Sequence, residues 1–123
     1  MEENMILEEV QAAEEEKELS GVYECVLKHP VYDTKMINGK SEKVTYKTLK
    51  FDFASLTGRD MVEIDRELQS EGESVFMRAV HPVFLLKVCA RAAKVSEDVI
   101  ASVTAREYDK ITSQARLFFL KQE

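Results

Sequence analysis

The spacing of apolar positions changes character near residue 54. Before it, Val22 to Leu27 and Val31 to Ile37 are rich in Val, Tyr and Thr, and Val44 to Phe53 resumes the alternation. A period of two predicts strands, and Asn38-Gly39 between two such runs is a strong hairpin signal, although the polar run Lys40-Ser41-Glu42-Lys43 can lengthen the loop. In the last run the phase slips. Val44 and Tyr46 share one parity, whereas Leu49, Phe51 and Phe53 share the other, so a bulge is expected near Lys47-Thr48. After residue 54 the period is helical. Met61, Ile64 and Leu68 fall on one face of a helix from about Gly58 to Ser70, started by a Thr57/Asp60 capping box and ended near Gly72. Ser74 to Val80 is ambiguous, a short helix or an ordered loop. A second helix begins near Pro82 and reaches Ala93 or Lys94. Its charges, Lys87, Arg91 and Lys94, lie on one stripe, which makes it the central helix of the core. A short helix capped by Ser96 follows, and Thr104 with Glu107 forms a second capping box for a last helix reaching about Leu120.

The predicted class is therefore α+β: an N-terminal β-hairpin or small antiparallel sheet followed by a bundle of three to four helices. The expected core contains Phe51, Phe53, Met61, Ile64, Leu68, Phe84, Leu85, Val88, Ile111 and Phe118. On the last helix, Tyr108, Ile111, Ala115, Phe118 and Phe119 share the inward arc, while Leu117 and Leu120 point the other way. Two leucines side by side off the core face suggest a protein-binding patch, with Phe76, Met77 and Val80 as a further candidate surface.

Charge divides the chain in two. Residues 1–20 hold eight Glu and one Lys, a net −7, whereas the remainder holds sixteen Lys and Arg against fifteen Asp and Glu. An acidic tail over 1–20, expected to be disordered, thus precedes a single domain over 21–123. A thin apolar stripe (Ile6, Val10 and Ala13) gives the tail little to bury, and if it docks the Lys87, Arg91 and Lys94 stripe is the expected place. The near-neutral body argues against nucleic-acid binding, which needs a basic surplus. The longest apolar run, Pro82 to Ala93, contains Lys87 and Arg91 and is too short to span a bilayer, so no membrane association is expected. An acidic rather than basic-then-apolar start shows no signal peptide, and export is not expected.

Chemistry-bearing residues are few. Cys25 and Cys89 sit among apolar neighbours and read as reduced core residues. A metal pairing of Cys25 with His29 is disfavoured, because four strand residues separate them by about 13 Å. His29-Pro30 and His81-Pro82 mark element boundaries. Glu63, Asp65 and Glu67 are adjacent carboxylates on the polar arc of the first helix, read as a solvated face. Asp52, between two Phe, is expected to accept backbone amides in the turn before that helix. No nucleophile elbow, phosphate loop or zinc-protease motif is present, so neither enzymatic activity nor a cofactor is expected. Lys35, Lys40, Lys43, Lys47 and Lys50 decorate the hairpin and read first as protection of exposed strand edges.

The string Leu49 to Arg66, LKFDFASLTGRDMVEIDR, adds a family resemblance. Its Tyr46, Leu49, Phe51, Asp52, Leu56, Thr57, Gly58 and Asp60 resemble the core pattern of the tail assembly chaperones of long-tailed bacteriophages. Ala90-Arg91-Ala92-Ala93, Asp109 and Phe118-Phe119-Leu120 answer that family's later helices. The acidic tail and the Val22-to-Leu27 run have no clear counterpart in the pattern. The resemblance implies a small, non-catalytic, homo-oligomeric protein of the bacterial cytoplasm. It would coat the tape measure protein during tail building and be displaced as tail tube subunits polymerise. Family members are often made in two lengths by ribosomal frameshifting. A different class remains open beside it: a small phage or bacterial regulatory domain that binds its partner through the Lys-bearing hairpin.

Overall fold

The computed structural model describes residues 21–74 and 77–120, with the acidic segment 1–20 and Phe76 lying outside the described residues. The order is β1 (Val22–Ile37), β2 (Lys40–Asp52), a 3-10 turn (Phe53–Ser55), α1 (Gly58–Ser70), a 3-10 turn (Arg78–Val80), α2 (Pro82–Ala93), α3 (Glu97–Ala101) and α4 (Ala105–Leu120). This is the predicted α+β arrangement: one antiparallel two-stranded sheet followed by helices.

The hairpin closes on two residues. Asn38 (φ 51°) and Gly39 (φ 78°) make the turn, and Ile37 faces Lys40, so the Lys40–Lys43 run belongs to the strand. Positive φ at both central positions matches the right-handed strand twist, which is why Asn-Gly is favoured there. The expected irregularity occurs, with its extra residues in the partner strand. Val26 pairs with Thr48 and Val31 with Tyr46, leaving Leu27–Pro30 to face Lys47 alone. Consequently His29-Pro30 does not divide two strands; β1 runs through it. Proline is tolerated there because the bulge already interrupts the ladder.

Each helix end follows from local chemistry. The Thr57 hydroxyl accepts the Asp60 amide, while the Asp60 carboxylate accepts the Thr57 amide at 2.8 Å. That amide, aided by the hydroxyl and by Arg91, holds the Asp60 carboxyl below the usual range. At the other end of α1, Gly72 donates to the Gln69 carbonyl and Glu73 to Leu68, a Schellman closure. α2 closes the same way, but with Lys94 in the left-handed conformation (φ 58°). Asp52 departs from expectation: its carboxylate makes no cap bond, and its backbone carbonyl accepts the Ser55 hydroxyl at 2.8 Å.

α2 is the central helix. Phe84, Leu85, Val88, Cys89, Ala90 and Ala92 are buried on it, packed with Leu49 and Phe51 of β2, Ile64 and Leu68 of α1, and Ile111 and Ala115 of α4. Every expected core residue joins this cluster, with Met61 and Phe118 at its margin, partly buried. Two of the three charges on the basic stripe of α2 are engaged by carboxylates. Lys87 is only 3% exposed, with its ammonium 3.0 Å from Glu71 and 3.4 Å from Glu67 and Glu97. Arg91 lies 2.7 Å from Glu63, 3.1 Å from Asp60 and 3.5 Å from Glu67. The polar arc of α1 stays solvated, with side chains 39–45% exposed, yet its carboxylates are engaged: Glu63 and Glu67 bind α2, and Asp65 pairs with Arg78. Lys94, the third charge of the stripe, is exposed, and the expected docking of the acidic segment there falls outside the described residues.

Candidate functional site

The last helix builds one end of the molecule. Ile111 and Ala115 are fully buried, and Phe118 and Phe119 extend the inward face. Phe118 stacks on Phe53 at 5.8 Å between ring centres, and Phe119 meets the edge of Phe84 at 5.5 Å. The end of α4 thereby lies beside the start of α2, and α4 also packs on the Arg78–Val80 turn. These contacts bring most of the sequence-predicted binding residues to one region. Leu120 is 58% exposed, and Met77 and Val80 are each 52% exposed. Leu117 differs from the others: it is half-buried. Phe76 lies outside the described residues.

A histidine fixes the turn that carries this patch. His81 precedes Pro82, and its Nδ1 accepts the Phe84 amide at 3.3 Å, capping α2. Its Nε2 is 3.6 Å from the Glu73 carboxylate. Histidine is not among the favoured capping residues, so sequence reading found only a boundary at this position. The Arg78–Asp65 ion pair ties the same turn to α1.

A concavity of about 530 Å³ lies between β1 and the start of α4 and is lined by Tyr23, Cys25, Lys28, His29, Glu107 and Lys110 among others. Glu107 controls it. One carboxylate oxygen accepts the Thr104 hydroxyl (2.8 Å) and amide (3.2 Å), completing the expected capping box; the other accepts the Lys28 amide at 2.7 Å. Burial alone would raise its pKa, but the Lys28 and Thr104 donors outweigh that and hold the carboxyl below the usual range. Both oxygens are thus committed to backbone donors, which leaves Glu107 a poor general base. The Cys25 thiol is pushed up by burial and by the Glu107 charge, and burial pushes Cys89 to about 12. Neither supplies a thiolate at neutral pH. Among the described residues, no group of three or more His, Cys, Asp or Glu side chains is placed to hold a metal ion, and no helix is long and apolar enough to cross a membrane.

The hairpin carries a surface that the sequence reading did not single out. Val26 is 78% exposed and Met36 71%, with Tyr32 and Ile37 also open. The signal was present in the parity of Val31–Ile37, which sets Tyr32 and Met36 opposite the buried Val31. Two of the hairpin lysines rest on rings: the Lys43 ammonium lies 4.0 Å from the Tyr32 ring centre and Lys35 lies 5.5 Å from that of Tyr46. The exposed side chains of the hairpin and of the α4 end both offer apolar contact surfaces. Comparison with protein-family models, curated proteins and solved structures finds no match to this chain.

Proposed function

We propose that the chain is a non-catalytic tail assembly chaperone of a long-tailed bacteriophage, acting in the bacterial cytoplasm. In this reading it is a homo-oligomer that holds the tape measure protein and helps recruit tail tube subunits, without nucleic acid or membrane. The observation that carries the proposal is the exposed apolar end made by Met77, Val80 and Leu120. A holdase needs such a surface, because covering a client's apolar helix at moderate affinity leaves release possible. The resemblance supplies the identity of the client. Its residues build one continuous corner, in which Leu49 and Phe51 anchor β2 in the core and the Thr57/Asp60 box launches α1.

Co-expression with a tape measure protein, followed by affinity capture of this chain, tests the reading. The informative variant is Val80→Glu with Leu120→Glu, because both positions are more than half exposed, whereas Leu117 is half-buried and its replacement would disturb packing. Each buried Leu is worth about 1.5–3 kcal/mol, so the double variant should lose client capture while keeping its thermal midpoint. Unchanged capture by the folded variant would remove this patch from the mechanism. No capture of any tape measure segment by the unaltered chain would overturn the chaperone reading itself.

A further inference from the structure

We propose that β1 pairs antiparallel with the β1 of a second copy of this chain, about a two-fold axis at Thr34, making a four-stranded sheet. The proposal concerns the purified chain alone and does not rest on the chaperone reading.

The tight turn determines which backbone groups are free. In a two-residue hairpin the closing pair, here Ile37 and Lys40, exchanges both hydrogen bonds, and every second pair does so down the ladder. Val31, Asp33, Lys35 and Ile37 therefore direct their amides to β2, while Tyr32, Thr34 and Met36 direct theirs outward. One hydrogen bond agrees with that phase: the Thr34 amide donates to the neighbouring Asp33 carboxylate at 2.9 Å rather than to β2. Nearer the body the outer side of β1 is taken, since the Lys28 amide goes to Glu107. Beyond Pro30, among the described residues, nothing takes the outward amides of Tyr32 and Met36. A two-stranded hairpin is marginal by itself, and added strands stabilise it.

The side chains on this edge are self-complementary. With Thr34 facing the second copy's Thr34, the outward amides of Tyr32, Thr34 and Met36 meet in phase. Tyr32 then lies opposite the second copy's Met36, an aromatic–thioether contact between two side chains now exposed. Val31 meets Ile37, and Asp33 meets Lys35, each twice by symmetry. The neighbouring registers that keep the amide phase fail on charge. One sets Asp33 against Asp33, the other Lys35 against Lys35. A lone lysine on an edge discourages pairing; with Asp33 two residues away it selects one pairing instead. On association Asp33 would exchange its bond from the Thr34 amide for the second copy's Lys35.

Charge reversal tests the register. In sedimentation equilibrium the unaltered chain should dimerise. Asp33→Lys and Lys35→Asp alone should each weaken association by roughly tenfold or more, since each creates two like-charge contacts. An equimolar mixture of the two variants should recover dimers, because every contact across the axis is again of opposite sign. Thr34→Cys should form an inter-chain disulfide on mild oxidation, since a hydrogen-bonded antiparallel pair sets its Cα atoms about 5.5 Å apart. Unchanged circular dichroism would show that the variants fold. A monomeric parent chain, single variants that dimerise as the parent does, or a mixture that stays monomeric would each overturn the proposal.

Discussion

Gly21 is the glycine that the fold can least replace. It has φ +75°, and a Cβ there would lie 2.9 Å from the Ala54 Cβ and 3.2 Å from the Phe118 ring. Its carbonyl also accepts the Phe53 amide at 2.8 Å. Gly21→Ala should cost about 2–3 kcal/mol from backbone strain and overlap together, read from the urea midpoint. Lys94 is the opposite case. It holds a left-handed conformation that suits glycine, so Lys94→Gly should stabilise by about 0.5–1 kcal/mol despite its greater unfolded freedom. A decrease in thermal midpoint would show that the lysine side chain contributes more than the strain removes. Neither position was legible beforehand, because a positive φ leaves no mark on apolar spacing unless glycine or asparagine stands in a recognisable turn. Asn38-Gly39 did so and was read; Lys94 did not.

Among the elements, the contact between β1 and α4 depends on Glu107. The pattern Thr104-x-x-Glu107 was readable as a capping box, but its second role was not, because Lys28 is distant in sequence. Glu107→Gln keeps one acceptor oxygen and loses the other, so either the Lys28 amide or the cap must go, at about 1–2 kcal/mol. The pH dependence has a definite sign. The folded carboxyl titrates below its unfolded value of about 4.3, so its contribution is fully present above that pH and is lost as pH falls through the folded value. The difference in stability between parent and Glu107→Gln should thus be largest at neutral pH and shrink below about pH 4. A constant difference would mean that the carboxylate charge is irrelevant. The shifted phase of β2 was legible as a bulge, but assigning the extra residues to Leu27–Pro30 required knowing what Lys47 faces.

At the scale of the whole molecule, one set of charged groups forms a bridge between helices. Lys87 joins α1 to α3 through Glu67, Glu71 and Glu97. Burial alone would lower its pKa, but those carboxylates outweigh it and hold it above the usual lysine range. Breaking a dry ion pair costs about 3–5 kcal/mol, but these glutamates are nearly half exposed and can rehydrate. Lys87→Met, which keeps the apolar stem, should therefore cost only about 1–2 kcal/mol, and Lys87→Glu considerably more. A Lys87→Met variant more stable than its parent would show that the bridge serves specificity and not stability. Binary patterning identified α2 as central, and each residue expected in the core packs there, but the buried Leu27, Val31, Val99 and Ile100 were not foreseen. It could not show that Lys87, on the charged stripe of that helix, would be buried as well, because its partners come from elsewhere in the chain.

The packing of Gly21 on Phe118 joins the first described residues to the last helix, and this has a consequence during synthesis. The hairpin can zip from Asn38-Gly39 soon after it leaves the ribosome, since its contacts are local. The niche between Gly21, Phe53 and Phe84 stays open until α4 has been made, because Phe118 and Phe119 close it. A chain whose last helix is still inside the ribosome would have paired strands and a gap beside its aromatic cluster. Proteases and general chaperones would meet that intermediate first, and translation through the final helix would set how long it persists.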